Sequence, residues 1–250
     1  MPRYFLEVLY KGTNYSGFQI QKNANSIQQE IEKAFEIYLH QKIAMTGSSR
    51  TDTGVHALQN FFHFDFDGEI LQPSLYNINS ILPTDIVARN IYKVQPNAHC
   101  RFDAISREYK YYVFQKKNPF LQDTAYYYPY TLDINKLSAA SAIVAEHTNF
   151  TSFSKRNTQV KNFECSIIRS EWQQEGEHYI YTVKANRFLR GMVRGLAGTM
   201  LQVGRGKTSL EGFEKIIISQ DSSKADFSVP GHGLFLVSVN YHGSIFINSL

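Results

Sequence analysis

The sequence predicts an α+β protein: two ferredoxin-like halves, each β-α-β-β-α-β, joined into one extended, mainly antiparallel sheet with helices on one face. Three observations carry this. Strand-like and helix-like segments follow one another in that order twice, turn-forming Gly and Asn separate them, and 250 residues with 43% hydrophobic content can bury a core in each half. Joining the sheets edge to edge protects edges that would otherwise stay exposed. No sequence repeat accompanies the repeated order. Residues 1–105 are read as the first half and 106–250 as the second, connected by "QPNAHCRFDAIS".

In the first half, "RYFLEVLY" (Arg3 to Tyr10) reads as a strand and "KGTNYSG" as the turn after it. Ser26 with Gln29 three places on forms a capping-box start for a helix. Ile27, Ile31, Ala34, Phe35, Tyr38 and Leu39 recur along it at helical spacing. "KIAMTG" is a short strand entering a loop, and "NFFHFDF" leaves that loop, with Phe62, Phe64 and Phe66 alternating with His63 and Asp65. "PSLYNINSIL" predicts a helix and "DIVARNIYKV" a strand.

The second half opens with the strand "REYKYYVF" and the helix "DINKLSAASAIVAEH". A hairpin of "CSIIRSEW" and "HYIYTVKA" around "QQEGE" follows, then the helical "FLRGMVRGLAGTMLQV", the extra helix "LEGFEKIIIS" and the strand "LFLVSVNY". In "QVGRGK", Gly204 or Gly206 suits a helix C-terminus rather than a phosphate loop.

Composition narrows the function. A formal charge of +4 and a pI of 8.9 favour anionic partners mildly. Aromatic residues beside basic ones, as in "REYKYYVFQKK" and "NRFLRGMVR", suit base stacking with phosphate neutralisation, and equally suit a sheet core. Cys100 and Cys165 stand far apart in no CxxC pair, and the histidines show no metal-ligand spacing, so neither a disulfide nor a metal is expected. The N-terminus lacks a signal-peptide stretch, and no apolar run approaches the roughly 18 residues of a membrane span, so a soluble cytoplasmic protein without membrane association is expected.

The chemistry centres on "GSSRTDTGVHA", Gly47 to Ala57, which sets one carboxylate, Asp52, among hydroxyls and glycines. Asp52 suits an Asx-type turn, or a nucleophile or base with Arg50 at hand for phosphate. On a helix begun at Arg187, residues Leu189, Met192, Val193, Leu196 and Met200 share one face, with Arg187, Arg190 and Arg194 opposite. That stripe is either a solvated face or one laid along an anionic cleft, where an arginine could hold a carboxylate ionised. Tyr109 and Tyr111 alternate with basic residues in their strand, which suits inward packing or stacking on a base.

"RTDTGVHA" is similar to the catalytic motif of the TruA-type tRNA pseudouridine synthases. "YKGTNYSGFQIQKNANSIQQEIEKAF", "SREYKYYVF", "FLRGMVRGLAGTMLQVGRGK" and "PGHGLFLVSVNY" extend that resemblance nearly end to end. It implies a catalytic cleft between the halves, with Asp52 the catalytic carboxylate, Arg194 its partner and Tyr109 the ring against the target base. Arg50 would touch RNA near the flipped nucleotide, and Arg107, Tyr111, Arg187 and Arg190 are carried as further RNA contacts. It further implies a homodimer that isomerises uridine to pseudouridine at positions 38, 39 and 40 of the tRNA anticodon arm, with no cofactor. Ser49 departs from the more usual glycine, Phe18 from tryptophan and Asn149 from an acid. Two rival readings are an RNA-binding module without catalysis, disfavoured by the lack of an RNP1-like stretch, and a nucleoside or glycoside hydrolase. The hydrolase would need a second carboxylate, for which Asp65 and Asp103 are the candidates. A pseudouridine synthase acting at a different RNA position is a further alternative.

Overall fold

The computed structural model describes residues 1–155 and 160–248. The chain forms two compact units, one of Met1–Ile105 with Leu236–Leu250, the other of Ser106–Phe235.

The first unit contains β1 (Arg3–Tyr10), α1 (Ile27–Leu39), β2 (Thr46–Gly47), β3 (His56–Asp65), α2 (Ser74–Ile81) and β4 (Ile86–Val94). β1 lies between β3 and β4, antiparallel to both, and the two-residue β2 pairs with β3, which gives the ferredoxin-like strand order. Ser26 caps α1 by accepting from the Gln29 N–H at 3.3 Å. Its apolar face buries Ile27, Ile31, Ala34 and Phe35.

β3 departs from the half-wet alternation expected of it: Phe61, Phe62, His63 and Phe64 are all buried. On one face Phe62 stacks on Phe18 at 4.7 Å and Phe64 meets Phe35 of α1 at 5.4 Å. On the other, Phe61 and Phe5 meet Tyr241 at 5.2 and 5.3 Å. Tyr241 ends the last long strand, and the short strand after it pairs with β4. With both faces covered, each phenylalanine contributes about 1.5–3 kcal/mol of burial.

The second unit holds β5 (Ala104–Phe114), β6 (Tyr126–Tyr127), α3 (Ile134–Ala145), β7 (Ile167–Glu175), β8 (His178–Ala185), α4 (Met192–Gly204) and α5 (Leu210–Ile218). β8 lies between β5 and β7, antiparallel to both. β9 (Leu234–Tyr241) follows, and from Leu236 onward it packs with the first unit, as does β10 (Phe246–Asn248).

α4 corrects the sequence reading. It begins at Met192 behind Gly191, whose φ is 75°, so Arg187 and Arg190 precede the helix and form no stripe on it. It has no wet face: of its thirteen residues only Arg194 and Gln202 escape full burial. It ends at Gly204, and Gly206, with φ 79°, donates to the Val203 carbonyl at 2.8 Å, closing the helix as a left-handed residue after the cap does.

Candidate active site

The Asp52 loop is fixed by neighbours on three sides. Asn60, fully buried in β3, spans it: its Oδ1 accepts from the N–H groups of Ser49 (3.3 Å) and Phe61 (2.9 Å), and its Nδ2 donates to the Ser49 carbonyl (2.9 Å) and Tyr10 hydroxyl (3.2 Å). The Tyr10 hydroxyl also lies 2.8 Å from Thr51 Oγ1. The Thr51 carbonyl accepts from the Phe18 N–H at 3.1 Å, and His56 Nδ1 accepts from the Gly12 N–H at 3.0 Å. Within the loop the Val55 N–H donates to the Asp52 carbonyl at 3.1 Å, with Gly54 at φ 76°, the positive angle that favours glycine in such a turn. The closing bond therefore uses the Asp52 backbone, and its side chain is half-buried.

Gly12 makes this approach possible. A Cβ there would lie 2.0 Å from the Val55 carbonyl oxygen, so "KGTNYSG" is a shoulder for the Asp52 loop as well as a turn.

In the second unit, Arg194 is held by backbone carbonyls. Its Nε and Nη2 donate to the Val229 carbonyl at 2.8 and 2.6 Å, and Nη2 donates to the Phe227 carbonyl at 3.3 Å. Glycines in α4 bring that segment close: a Cβ on Gly198 would lie 2.3 Å from the Asp226 carbonyl oxygen, and one on Gly195 2.8 Å from the Phe227 ring. Asp226 secures it. Its N–H donates to Thr199 Oγ1 (2.9 Å), and its carboxylate accepts from Gln202 Nε2 and the Ser228 N–H, both at 2.8 Å. Burial pushes this carboxyl up, but the Ser228 and Gln202 hydrogen bonds outweigh it and hold it below the usual carboxylate range. The Tyr109 ring meets Phe188 edge-on at 5.1 Å.

A family model described as tRNA pseudouridine synthase matches residues 7–103 and 140–242, most of the chain, including the Asp52 loop and α4. The chain belongs to that family. The tRNA pseudouridine synthase A of Parabacteroides distasonis is 44% identical over 248 residues, covering 98% of each chain. That of Bacteroides fragilis is 44% identical over 249 residues, covering 98% of this chain and 99% of its own. The Staphylococcus aureus protein of the same name is 34% identical over 241 residues, covering 95% and 90%.

Within this family member the expected site residues separate by environment. Arg50 and Arg190 are exposed and Arg187 is partly so. Tyr111 is not available as an RNA contact: it is 0% exposed, its hydroxyl donates to the Pro230 carbonyl at 2.9 Å, and burial pushes its pKa well up. Arg107 and Tyr109 are each 8% exposed, and Arg107 donates to the Asn186 carbonyl at 3.2 Å. Alternation fails to show this because both faces of β5 carry large residues, and only packing tells which face is covered. Phe18, which stands where tryptophan is more usual, is a core residue, 1% exposed and stacked on Phe62. Sequence reasoning missed Asn60 and Asp226. The readable signal for Asn60 was an amide beside an apolar run; for Asp226, a helix carrying glycines that must admit a close neighbour.

Of the two candidates for a hydrolase's second carboxylate, Asp65 is spent in an ion pair and Asp103 is an exposed turn residue. Asp65 accepts a two-pronged pair from Arg3 at 2.8 and 2.7 Å, and Arg3 holds its carboxyl below the usual range. Asp103 accepts from the His99 N–H at 2.7 Å.

Contrary to the sequence reading, histidine and cysteine do cluster: ligand atoms of His63, His99 and Cys100 lie within 4.8 Å of one another. These atoms already make hydrogen bonds. Cys100 Sγ donates to the Thr46 carbonyl (3.1 Å), while His99 Nδ1 accepts from the N–H groups of Arg101 (3.2 Å) and Phe102 (3.4 Å). Holding a soft cation such as zinc would require giving these up. Burial keeps His63 neutral, with its pKa lowered to about 4.

Proposed function

We propose that the protein isomerises uridine to pseudouridine at positions 38, 39 and 40 of the tRNA anticodon arm, acting in the cytoplasm as a homodimer without a cofactor. The observation that carries the reading is a single half-buried carboxylate, Asp52, on a loop anchored through Asn60, Tyr10 and His56, in a chain of this family.

The reaction needs no second acid. The N1–C1′ bond breaks, the uracil turns and C5 joins C1′; C5 loses a proton and N1 gains one, so no water is consumed and no electrons are lost. One carboxylate can serve, by adding to sugar or base or by assisting an elimination, and a base then removes the C5 proton. Arg194 is read as the charged partner of Asp52, and Tyr109 as the ring against the target base. Excluding water protects the detached uracil and the activated sugar from hydrolysis.

Tritium release from tRNA made with 5-³H-uridine tests this, because joining C5 to the sugar expels that hydrogen. Wild type should release tritium, and Asp52→Asn should lose about 10³-fold or more of that rate while still binding tRNA. No release by wild type with tRNA bound would leave a silent RNA-binding relative. Release that survives removal of the three uridines would move the activity to another position.

A further inference from the structure

The first unit carries a pocket of about 170 Å³ whose lining includes Arg50, Arg101, Phe102, His99 and Gln19. That is below the roughly 300–1,000 Å³ of small-molecule sites and fits one phosphate or the edge of one base. Two of its residues stand out against the packing around them. Phe102 is 72% exposed at the edge of this pocket, and the Arg101 guanidinium lies 5.5 Å from the Phe102 ring centroid.

Their exposure is built in rather than incidental, because the backbone beneath them is tied down residue by residue. Arg3 Nη1 donates to the Ala98 carbonyl (2.9 Å), and the Tyr241 hydroxyl donates to the Cys100 carbonyl (2.6 Å). Cys100 Sγ donates to the Thr46 carbonyl, and the Arg101 and Phe102 N–H groups both point at His99 Nδ1. The one acid in this turn, Asp103, accepts from the His99 N–H. The Phe102 ring also meets the His99 ring at 4.3 Å, so the turn presents a supported, exposed ring and a guanidinium to the pocket that Arg50 lines as well. A ring for stacking and two guanidinium groups on one small pocket match the chemistry of a flat base and its phosphate.

We propose that this turn is a nucleotide subsite: a base of single-stranded RNA stacks on the free face of Phe102, and its phosphate lies between Arg101 and Arg50. The subsite rests on the tRNA reading above and adds to it. Since Arg50 stands two residues before Asp52, the nucleotide held is a neighbour of the target uridine rather than the target itself. The His63, His99 and Cys100 cluster then acts as the clamp behind the subsite. Phosphate and ring contacts of this kind read shape and not base identity, as an enzyme with several neighbouring targets requires.

The test measures dissociation constants for an unmodified tRNA transcript over a range of salt, beside tritium release at saturating tRNA. Phe102→Ala should weaken binding about 5- to 100-fold, and Phe102→Tyr should restore it, since stacking needs only the ring. Arg101→Ala should weaken binding and reduce the salt slope by about one, with Arg101→Lys keeping the slope. Both alanine variants should retain most of the wild-type rate at saturation. Wild-type affinity and salt slope in both would overturn the subsite while wild-type tritium release leaves the catalytic reading standing. A wild type that binds through Arg101 and Phe102 yet releases no tritium would overturn the catalytic reading and keep the subsite.

Discussion

The two units position their key side chains by opposite means. Around Asp52 the work is done by side chains: the Asn60 amide, the Tyr10 hydroxyl and His56 satisfy the polar groups of an irregular loop that β3 alone could not. Around Arg194 it is done by the backbone, since Gly195 and Gly198 let the Asp226–Val229 segment press against α4 until its carbonyls reach the guanidinium. A loop that must hold a half-buried acid needs many donors and acceptors. A helix that is buried all round needs only a close neighbour.

That contrast can be broken first at Asn60. Asn60→Leu removes the buried amide's bonds to the Ser49 N–H and carbonyl; at about 1–3 kcal/mol per lost bond, it should cost on the order of 3 kcal/mol of stability and most of the turnover. Urea denaturation with tritium release would measure both, and a stable, active variant would show that the loop holds itself. Gly198→Ala should be next. Its new Cβ meets the Asp226 backbone, which must shift, at a cost of roughly 1–3 kcal/mol, and turnover should fall through Arg194 with tRNA affinity largely kept. Equal loss of affinity and rate would mean that the shift spreads beyond Arg194.

Thr199→Val should cost about 1 kcal/mol by removing the acceptor of the Asp226 N–H, and a thermal melt would detect it. The smallest effect at neutral pH comes from His63. Its folded-state pKa of about 4 lies below its unfolded value near 6.5, so the unfolded chain takes up the proton first. Stability should therefore be unaffected above that unfolded value and decline as pH falls from about 6.5 toward 4. His63→Gln should flatten the decline in denaturant midpoints taken at pH 7 and pH 5. Asp226 acts lower still: its depressed carboxyl stabilises at neutral pH and loses that contribution only as pH falls through the acid range below its usual value.

Much of this was legible in the chain. β1 and β9 run over the segments read as strands, Arg3–Tyr10 and Leu234–Tyr241, and Ser26 caps α1 as its spacing with Gln29 requires. Local patterns of this kind persist because alternation, capping and glycine turns are settled by neighbours a few residues away. The start of α4 was not legible, because "RFLRGMVR" has helical spacing while Gly191 takes a left-handed angle that ends the preceding segment.

Sequence by itself determined the order of strands and helices, the single acid in "RTDTGVHA" and the family. The tertiary structure alone decided which side chains are offered and which are spent. Tyr111 and Phe102 both sit near basic residues in the sequence, yet the first lies sealed behind Pro230 and the second stands in solvent. Hydrophobic periodicity says that a face is apolar; whether anything covers it depends on elements distant in the chain, and burial, unlike periodicity, is a property of both partners.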